Sequence, residues 1–289
     1  MKNPKIWMTI SAATIIASTL IIVIIKPNWG IDFIGGSSIE IQANAQDAPK
    51  AKELLASKFQ LSAQTEGTQD GTIRIKTSLI DDKQHAEIIT ALREANILRE
   101  NEISFEQIGP TIGKELRTKS IQAIGVVLVA MIIYLAYTFR STGGLMAPWK
   151  FGVAAIYALI HDLFLVTACF VVFGKIWGAE IDTLFVTAQL AILGYSVNDT
   201  IVIFDRLRSE WLALRGKSFL EVIDRALIAT MGRSINTMLT TLLSLAAALV
   251  FGGASIRWFI VALIIGVLTG VYSSIFVAPP LLYYISKRK

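Results

Sequence analysis

Of the 289 residues, 54% are hydrophobic and only 17% charged, with a mean hydropathy of +0.58; this balance excludes an ordinary soluble globule and points to a chain that lives in a membrane. The formal net charge of +5 is not that of a nucleic-acid binder, because the basic residues flank apolar runs instead of forming one patch. The single cysteine, Cys169, lies inside an apolar run, which excludes a disulfide framework or a cysteine metal site and argues against redox chemistry.

A hydrocarbon core about 30 Å thick needs about 20 apolar residues in helical form. Six runs meet that length: Ile6 to Ile25, Ile121 to Phe139, Phe151 to Phe173, Leu184 to Phe204, Ile235 to Phe251 and Trp258 to Ile285. The first follows Lys2 and Lys5 and so resembles a signal peptide. It is longer than a signal core, however, and Lys26 and Pro27 stand where a small-residue cleavage site belongs, so a retained anchor is expected. Lys5, Arg140, Lys150, Arg206, Arg208, Arg215, Lys217, Arg225, Arg233, Lys287, Arg288 and Lys289 join Lys2 on one side of the membrane, against Lys175 and Arg257 in the opposite short loops. The positive-inside rule then puts both termini in the cytoplasm and the long 26–119 loop outside. The expected organisation is a cytoplasmic N-terminus and first span (1–26), an extracytoplasmic domain (27–118), and a bundle of spans two to six (119–289) with an amphipathic cytoplasmic segment at 206–232.

The outer segment is polar and slightly acidic, with 10 Lys or Arg against 14 Asp or Glu between Pro27 and Thr118. Alternation in Ser38 to Gln42 predicts a strand, and Ala48 to Phe59 a helix with Leu54, Leu55 and Phe59 inward. Ala63 to Glu66 supplies a short strand, and Thr72 to Lys76 alternates again after the Asp70 and Gly71 turn. Asp81 to Ala95 is a second helix carrying Ile88, Ile89 and Leu92, and Ile103, Phe105 and Ile108 mark a last strand. The order βαββαβ is that of a ferredoxin-like α+β domain. Its histidine, His85, beside Asp81 and Asp82, reads as a solvated surface residue, and nothing in the domain looks catalytic; a mechanical or recognitional task fits it.

The third span carries His161 and Asp162 at its midpoint. Asp162 has two equal readings, a proton relay or a hydrogen-bonding anchor to a neighbouring helix; His161 reads as structural. In the fourth span, Gln189, Ser196, Asp199 and Thr200 fall at offsets of seven, ten and eleven, which gathers them on one helical face. A carboxylate at the centre of a lipid-spanning helix costs roughly 2.5 to 3.5 kcal/mol on insertion scales, so Asp199 is the leading functional candidate. Asp205, at the edge of that span, is expected to pair with Arg206 or Arg208. Ser218 with Glu221 three residues on predicts a capping box, and Phe219, Leu220, Ile223, Leu227 and Ile228 make one apolar side of a short helix at the cytoplasmic interface. The fifth span opens with Arg233 and carries Asn236, Thr237, Thr240, Thr241 and Ser244, a second polar face expected to meet that of the fourth. In the sixth, Gly266, Gly270 and Ser274 at four-residue spacing predict a close-packing face, and Pro279 with Pro280 a bend or end.

Several strings then coincide with a known family. Gly30-Ile31-Asp32-Phe33-Ile34-Gly35-Gly36, Gly109 through Leu116, Gly194 through Arg206 with Asn198, Arg233 through Thr237 with Thr240 and Thr241, and Gly270 through Phe276 make the chain resemble SecF of the SecD/SecF protein-export family, in the resistance-nodulation-division (RND) superfamily. The resemblance spans essentially the whole chain; Ser234 and Val271 stand where threonine is frequent. It implies six transmembrane helices in an RND-like half-bundle, no enzymatic activity, no cofactor, and protons as the coupling ion. It also implies SecD, the SecYEG channel, YajC and exported preprotein as partners, in the cytoplasmic (inner) membrane. The positions matching the family's proton path are Asp199 and Arg233. Three rival readings stay open at this point: a proton-coupled RND-type exporter of lipid or small molecules, an intramembrane aspartyl protease using Asp162 and Asp199, and a proton-inert scaffold.

Overall fold

The computed structural model describes residues 3–67, 71–99, 102–140, 147–214 and 216–287; Lys2, Asp70, Arg215, Arg288 and Lys289, to which the sequence assigned roles, lie outside them. The chain divides into two compact units. One comprises Asn28–Ile121 with Glu180–Thr183, and the other Met1–Pro27, Gln122–Ala179 and Leu184–Lys289.

In the smaller unit, a four-residue helix α2 (Ile31–Ile34) leads into β1 (Gly36–Gln42), followed by α3 (Ala48–Phe59), β2 (Gln64–Gly67), β3 (Thr72–Thr77), α4 (Asp82–Glu94) and β4 (Glu102–Ile108). The four strands form one antiparallel sheet in the order β2-β3-β1-β4. Period-two alternation does the sorting. Ile39 and Ile41 pair with Ile75 and Ile73 across the β1 and β3 ladder, and all four are fully buried with Ala51 and Leu55 of α3 and Ile88 and Leu92 of α4. On the other face Glu40 stands opposite Arg74 and meets it in an ion pair of 3.2 Å. Asp81 and Gln84 close a reciprocal capping box at the start of α4.

His85 is not the solvated residue expected of it. Its Nε2 lies 2.8 Å from Glu102, and its ring stacks on Phe105 at 3.8 Å. Gly35 and Gly36 have φ of 78° and 140°, the region open chiefly to glycine, and a Cβ on Gly36 would stand 2.7 Å from the carbonyl of Thr77.

The larger unit holds helices long and apolar enough to cross a membrane: α1 (Pro4–Ile25), α5 (Pro110–Thr138, which begins in the smaller unit), α6 (Pro148–Trp177), α7 (Thr183–Ala213) and α8 (Phe219–Phe251). The sixth span is α9 (Arg257–Phe276) continued by α10 (Ala278–Lys287). The break at Val277 places Pro279 and Pro280 in the first turn of α10, where a missing N–H costs least. Near the cytoplasmic ends, Phe139, Phe151 and Phe204 form an aromatic knot with centroid separations of 4.8 to 6.0 Å.

The segment 206–232 differs from expectation. α7 continues to Ala213, and α8 starts at Phe219 and runs unbroken through the fifth span. Gly232 is the only breaker on the way, and one helical glycine costs about 1 kcal/mol. Val222, Ile223, Ala226 and Leu227 bury themselves in the bundle core instead of facing lipid headgroups. Ser218 caps α8 by accepting from the Glu221 N–H at 3.4 Å, and Arg206 pairs with Glu210 at 2.6 Å, not with Asp205.

Truncating Ile75 in the sheet core should cost about 2–5 kcal/mol. Hydrogen exchange on the detergent-solubilised Ile75→Ala chain is expected to speed up through β1 and β3 while α6 and α9 keep their protection.

Candidate functional site

Polar groups in the bundle gather at two places. The first is Asp162 on α6, fully buried with its neighbour His161. Its Oδ2 accepts from the hydroxyls of Ser196 on α7 and Ser273 on α9, both at 2.7 Å, and its Oδ1 lies 3.2 Å from Nδ1 of His161. One carboxyl group thereby ties three helices together, each hydrogen bond to it contributing about 1.5–3 kcal/mol if it is ionised. His161 Nε2 is buried with no hydrogen-bond partner among the described residues, and the ring centroid lies 5.8 Å from that of Tyr272.

Around this anchor α7 and α9 approach closely. Thr200 and Ser274 share a hydroxyl hydrogen bond of 2.8 Å, and Ser274 also donates to the carbonyl of Ser196 at 3.2 Å. A Cβ on Gly270 would touch Cβ of Ser196 at 3.1 Å, and one on Gly266 would overlap Ile192. The small-residue face predicted for the sixth span is thus the seat of α7. Gln189, a turn higher, donates to Thr167 on α6 at 3.1 Å.

The second place is Asp199. Its carboxylate is half-buried, with Oδ1 accepting from the hydroxyl of Ser234 on α8 at 2.6 Å. Its Oδ2 is buried and has no hydrogen-bond donor among the described residues. Arg233 precedes Ser234 and is exposed; it acts on Asp199 electrostatically, but no ion pair within 4 Å joins them among the described residues. Tyr195, one turn earlier on α7, faces Thr241 on α8.

The expected meeting of two polar faces is therefore corrected. The α7 polar residues split: Gln189, Ser196 and Thr200 turn to α6 and α9, while Tyr195 and Asp199 turn to α8. Of the α8 stripe, Asn236, Thr237, Thr240 and Ser244 are exposed, as is Asn198 on α7. The hydroxyls of Thr240, Thr241 and Ser244 donate back to carbonyls of their own helix, at 2.9 to 3.1 Å, the usual way such groups are satisfied inside a span. Ser234 was noted in the sequence only as a departure from threonine; either residue supplies the hydroxyl that Asp199 accepts.

If the fit of Gly266 against Ile192 sets the α7 and α9 spacing, Gly266→Val should overpack it by about 1–3 kcal/mol. A lowered melting temperature in detergent is the expected reading, with recovery in the Gly266→Val, Ile192→Ala double variant.

Residues 87–288 match the family described as "Protein export membrane protein SecD/SecF, C-terminal", and residues 20–47 match the "SecD/SecF GG Motif". The chain is 36% identical to the protein translocase subunit SecF of Thermobaculum terrenum, over 94% of this chain and 89% of that one. It is 32% identical to the subunit SecDF of Bacillus subtilis, over 95% of this chain but 36% of that longer protein. The crystal structure of SecDF, a translocon-associated membrane protein from Thermus thermophilus, superposes with a TM-score of 0.86 at 28% identity, covering 99% of this chain and 38% of that one. With six spans and one α+β domain between the first two, in the order and with the motifs of those proteins, the chain belongs to the SecD/SecF family of protein-export membrane proteins.

Proposed function

We propose that this protein is the SecF half of a SecDF-type complex, which uses the proton motive force to draw exported polypeptides outward after they enter a SecYEG channel. SecD supplies the second half-bundle, YajC and the preprotein are further partners, and the outer βαββαβ unit is a ferredoxin-like domain that moves with the spans. The observation that carries the reading is the Asp199 carboxyl group: it is held on one oxygen by Ser234, while the other is buried without a donor among the described residues. A neutral acid tolerates that setting far better than an anion does.

In this reading Asp199 is protonated when it accepts only the Ser234 hydroxyl, and on losing its proton it draws the Arg233 guanidinium toward it. The exposed stripe of Asn198, Asn236, Thr237 and Thr240 is then where SecD lies, because polar side chains on a lipid-facing surface favour a partner helix. Gln189, Ser196 and Thr200 support the same path from inside. Asp162 is the inner acid, linked to α7 through Ser196, three residues from Asp199. One charge moving through 100 mV releases about 2.3 kcal/mol. That biases a conformational equilibrium roughly fifty-fold but is far short of unfolding a domain, so export advances in small repeated steps.

The test is late-stage export into proton-energised vesicles holding SecD and the channel. Asp199→Asn should remove the stimulation by the gradient while leaving ATP-driven translocation intact, and unimpaired stimulation would take Asp199 out of the mechanism. Ser234→Thr should retain activity and Ser234→Ala lose part of it. For Asp162→Asn, lost export at an unchanged melting temperature marks a relay, whereas lost export with a lowered melting temperature marks an anchor alone.

A further inference from the structure

α7 carries Asp199, and its first residue, Thr183, is also the last residue of the outer unit. Within that unit the four residues 180–183 are fastened at several points. The backbone N–H of Thr183 donates to Oδ2 of Asp32 at 2.9 Å, and the Thr183 hydroxyl donates to the same oxygen. Ile181 forms a parallel bridge with Trp29, its N–H donating to the Asn28 carbonyl at 2.8 Å and its carbonyl accepting from the Gly30 N–H at 2.9 Å. Glu180 makes an ion pair with Lys76 of β3, both side chains largely buried. Burial pushes the Lys76 ammonium down to about 8, with the carboxylates of Glu66, Asp182 and Asp32 acting against it. Gly30 is the residue that fits here, since its Cβ would press on Asp182 at 3.0 Å.

Asp32 is thus an N-terminal cap for α7 supplied from 151 positions away in the sequence. The first N–H groups of a helix have no partner of their own, and a carboxylate there also meets the positive end of the helix dipole. The same short segment meets the start of another span: a Cβ on Gly113 of α5 would stand 3.1 Å from the Gly35 N and 3.2 Å from the Phe33 carbonyl carbon, and the Arg117 guanidinium lies 5.0 Å over the Trp29 ring. From Thr183 to Asp199 is 16 residues of continuous helix, about 24 Å at 1.5 Å per residue. A hydrogen-bonded helix of that length passes on an axial shift or rotation with little loss.

We propose that Asp32, clasped to Thr183 and flanked by the Lys76 and Glu180 ion pair, is the coupling residue that transmits movement of α7 into the outer domain. The proposal rests on the proton-driven reading of Asp199 and adds the route by which its consequence leaves the membrane. The part of Asp32 is positional.

Hydrogen exchange on the vesicle-embedded complex with SecD and the channel, with and without a proton gradient, reads α7 and the outer strands in one experiment, beside an export assay. The unaltered chain should respond in both regions. Asp32→Ala should keep the response of α7, lose that of β1 and β3, and export at least about tenfold less, since it removes both charge-assisted hydrogen bonds from Thr183 and one such bond alone accounts for about that factor. Asp32→Asn, which keeps an acceptor for the Thr183 N–H, should restore part of both. An undiminished strand response and normal export in Asp32→Ala would overturn the coupling while leaving the Asp199 reading intact. Absence of any gradient response in the unaltered chain would overturn both. Should Asp32→Ala unfold the domain, seen as lost protection in β3 without a gradient, Thr183→Val carries the same test by removing only the hydroxyl contact.

Discussion

A bilayer core offers no water to complete a hydrogen-bond shell, so every polar group placed there must find its partners within protein or change its charge state. Asp162 and Asp199 answer that constraint in opposite ways. Asp162 is shut in by Ser196, Ser273 and its own neighbour His161, and the two serines come from helices it helps to position. Among the described residues Asp199 has a single hydroxyl on one oxygen and no donor on the other. The first arrangement fixes geometry, because no member can leave without stranding the rest. The second leaves a group whose best partner depends on whether it carries a proton.

The packing follows from the same division. α7 is pressed on one side against α6 and α9 by glycine and serine contacts that leave no room for adjustment, as the overlap of any Cβ on Gly266 with Ile192 indicates. Beside Asp199 it meets α8 through the Ser234 hydroxyl, while toward the cytoplasmic end Trp211 packs edge-on to Phe219 and Val222, Ile223, Ala226 and Leu227 join the common apolar core. Asp199 thus lies on the face of α7 turned to Ser234 of α8, away from the face where Ser196 and Ile192 pack on the glycines of α9.

Much of this was legible in the sequence, and the rest was hidden for definite reasons. The six spans follow from apolar runs of about 20 residues, and the strands and helices of the outer unit from the switch between period two and period 3.6 in Ile39, Ile41, Ile73 and Ile75 against Leu55, Ile88 and Leu92. The close-packing role of Gly266, Gly270 and Ser274 was equally readable from their spacing. Periodicity shows which residues share a face but not which neighbour that face meets, so the split of Ser196 and Thr200 from Asp199 could not be foreseen. The amphipathic stretch after Ser218 has the same composition whether it lies on headgroups or continues a span. Only the burial of Val222, Ile223, Ala226 and Leu227 in the bundle core decides the matter.

Asp32 shows the deepest limit of local reading. In the sequence it is one residue of a glycine-flanked motif beside a span, and nothing near it needs a carboxylate. Its partner is the first turn of a helix 151 residues later, and a cap of that kind has no sequence spacing to betray it. Local caps such as that of Asp81 on Gln84 stabilise a helix within its own segment. A cap delivered from a distant segment does more, because it makes the helix start and the segment that supplies the cap move together or part company. Gly30, Gly35 and Gly36 then have a shared physical reason: two occupy positive φ, the third leaves no space for a side chain beside Asp182, and together they let one short stretch of backbone reach the foot of the helix that bears the titratable acid.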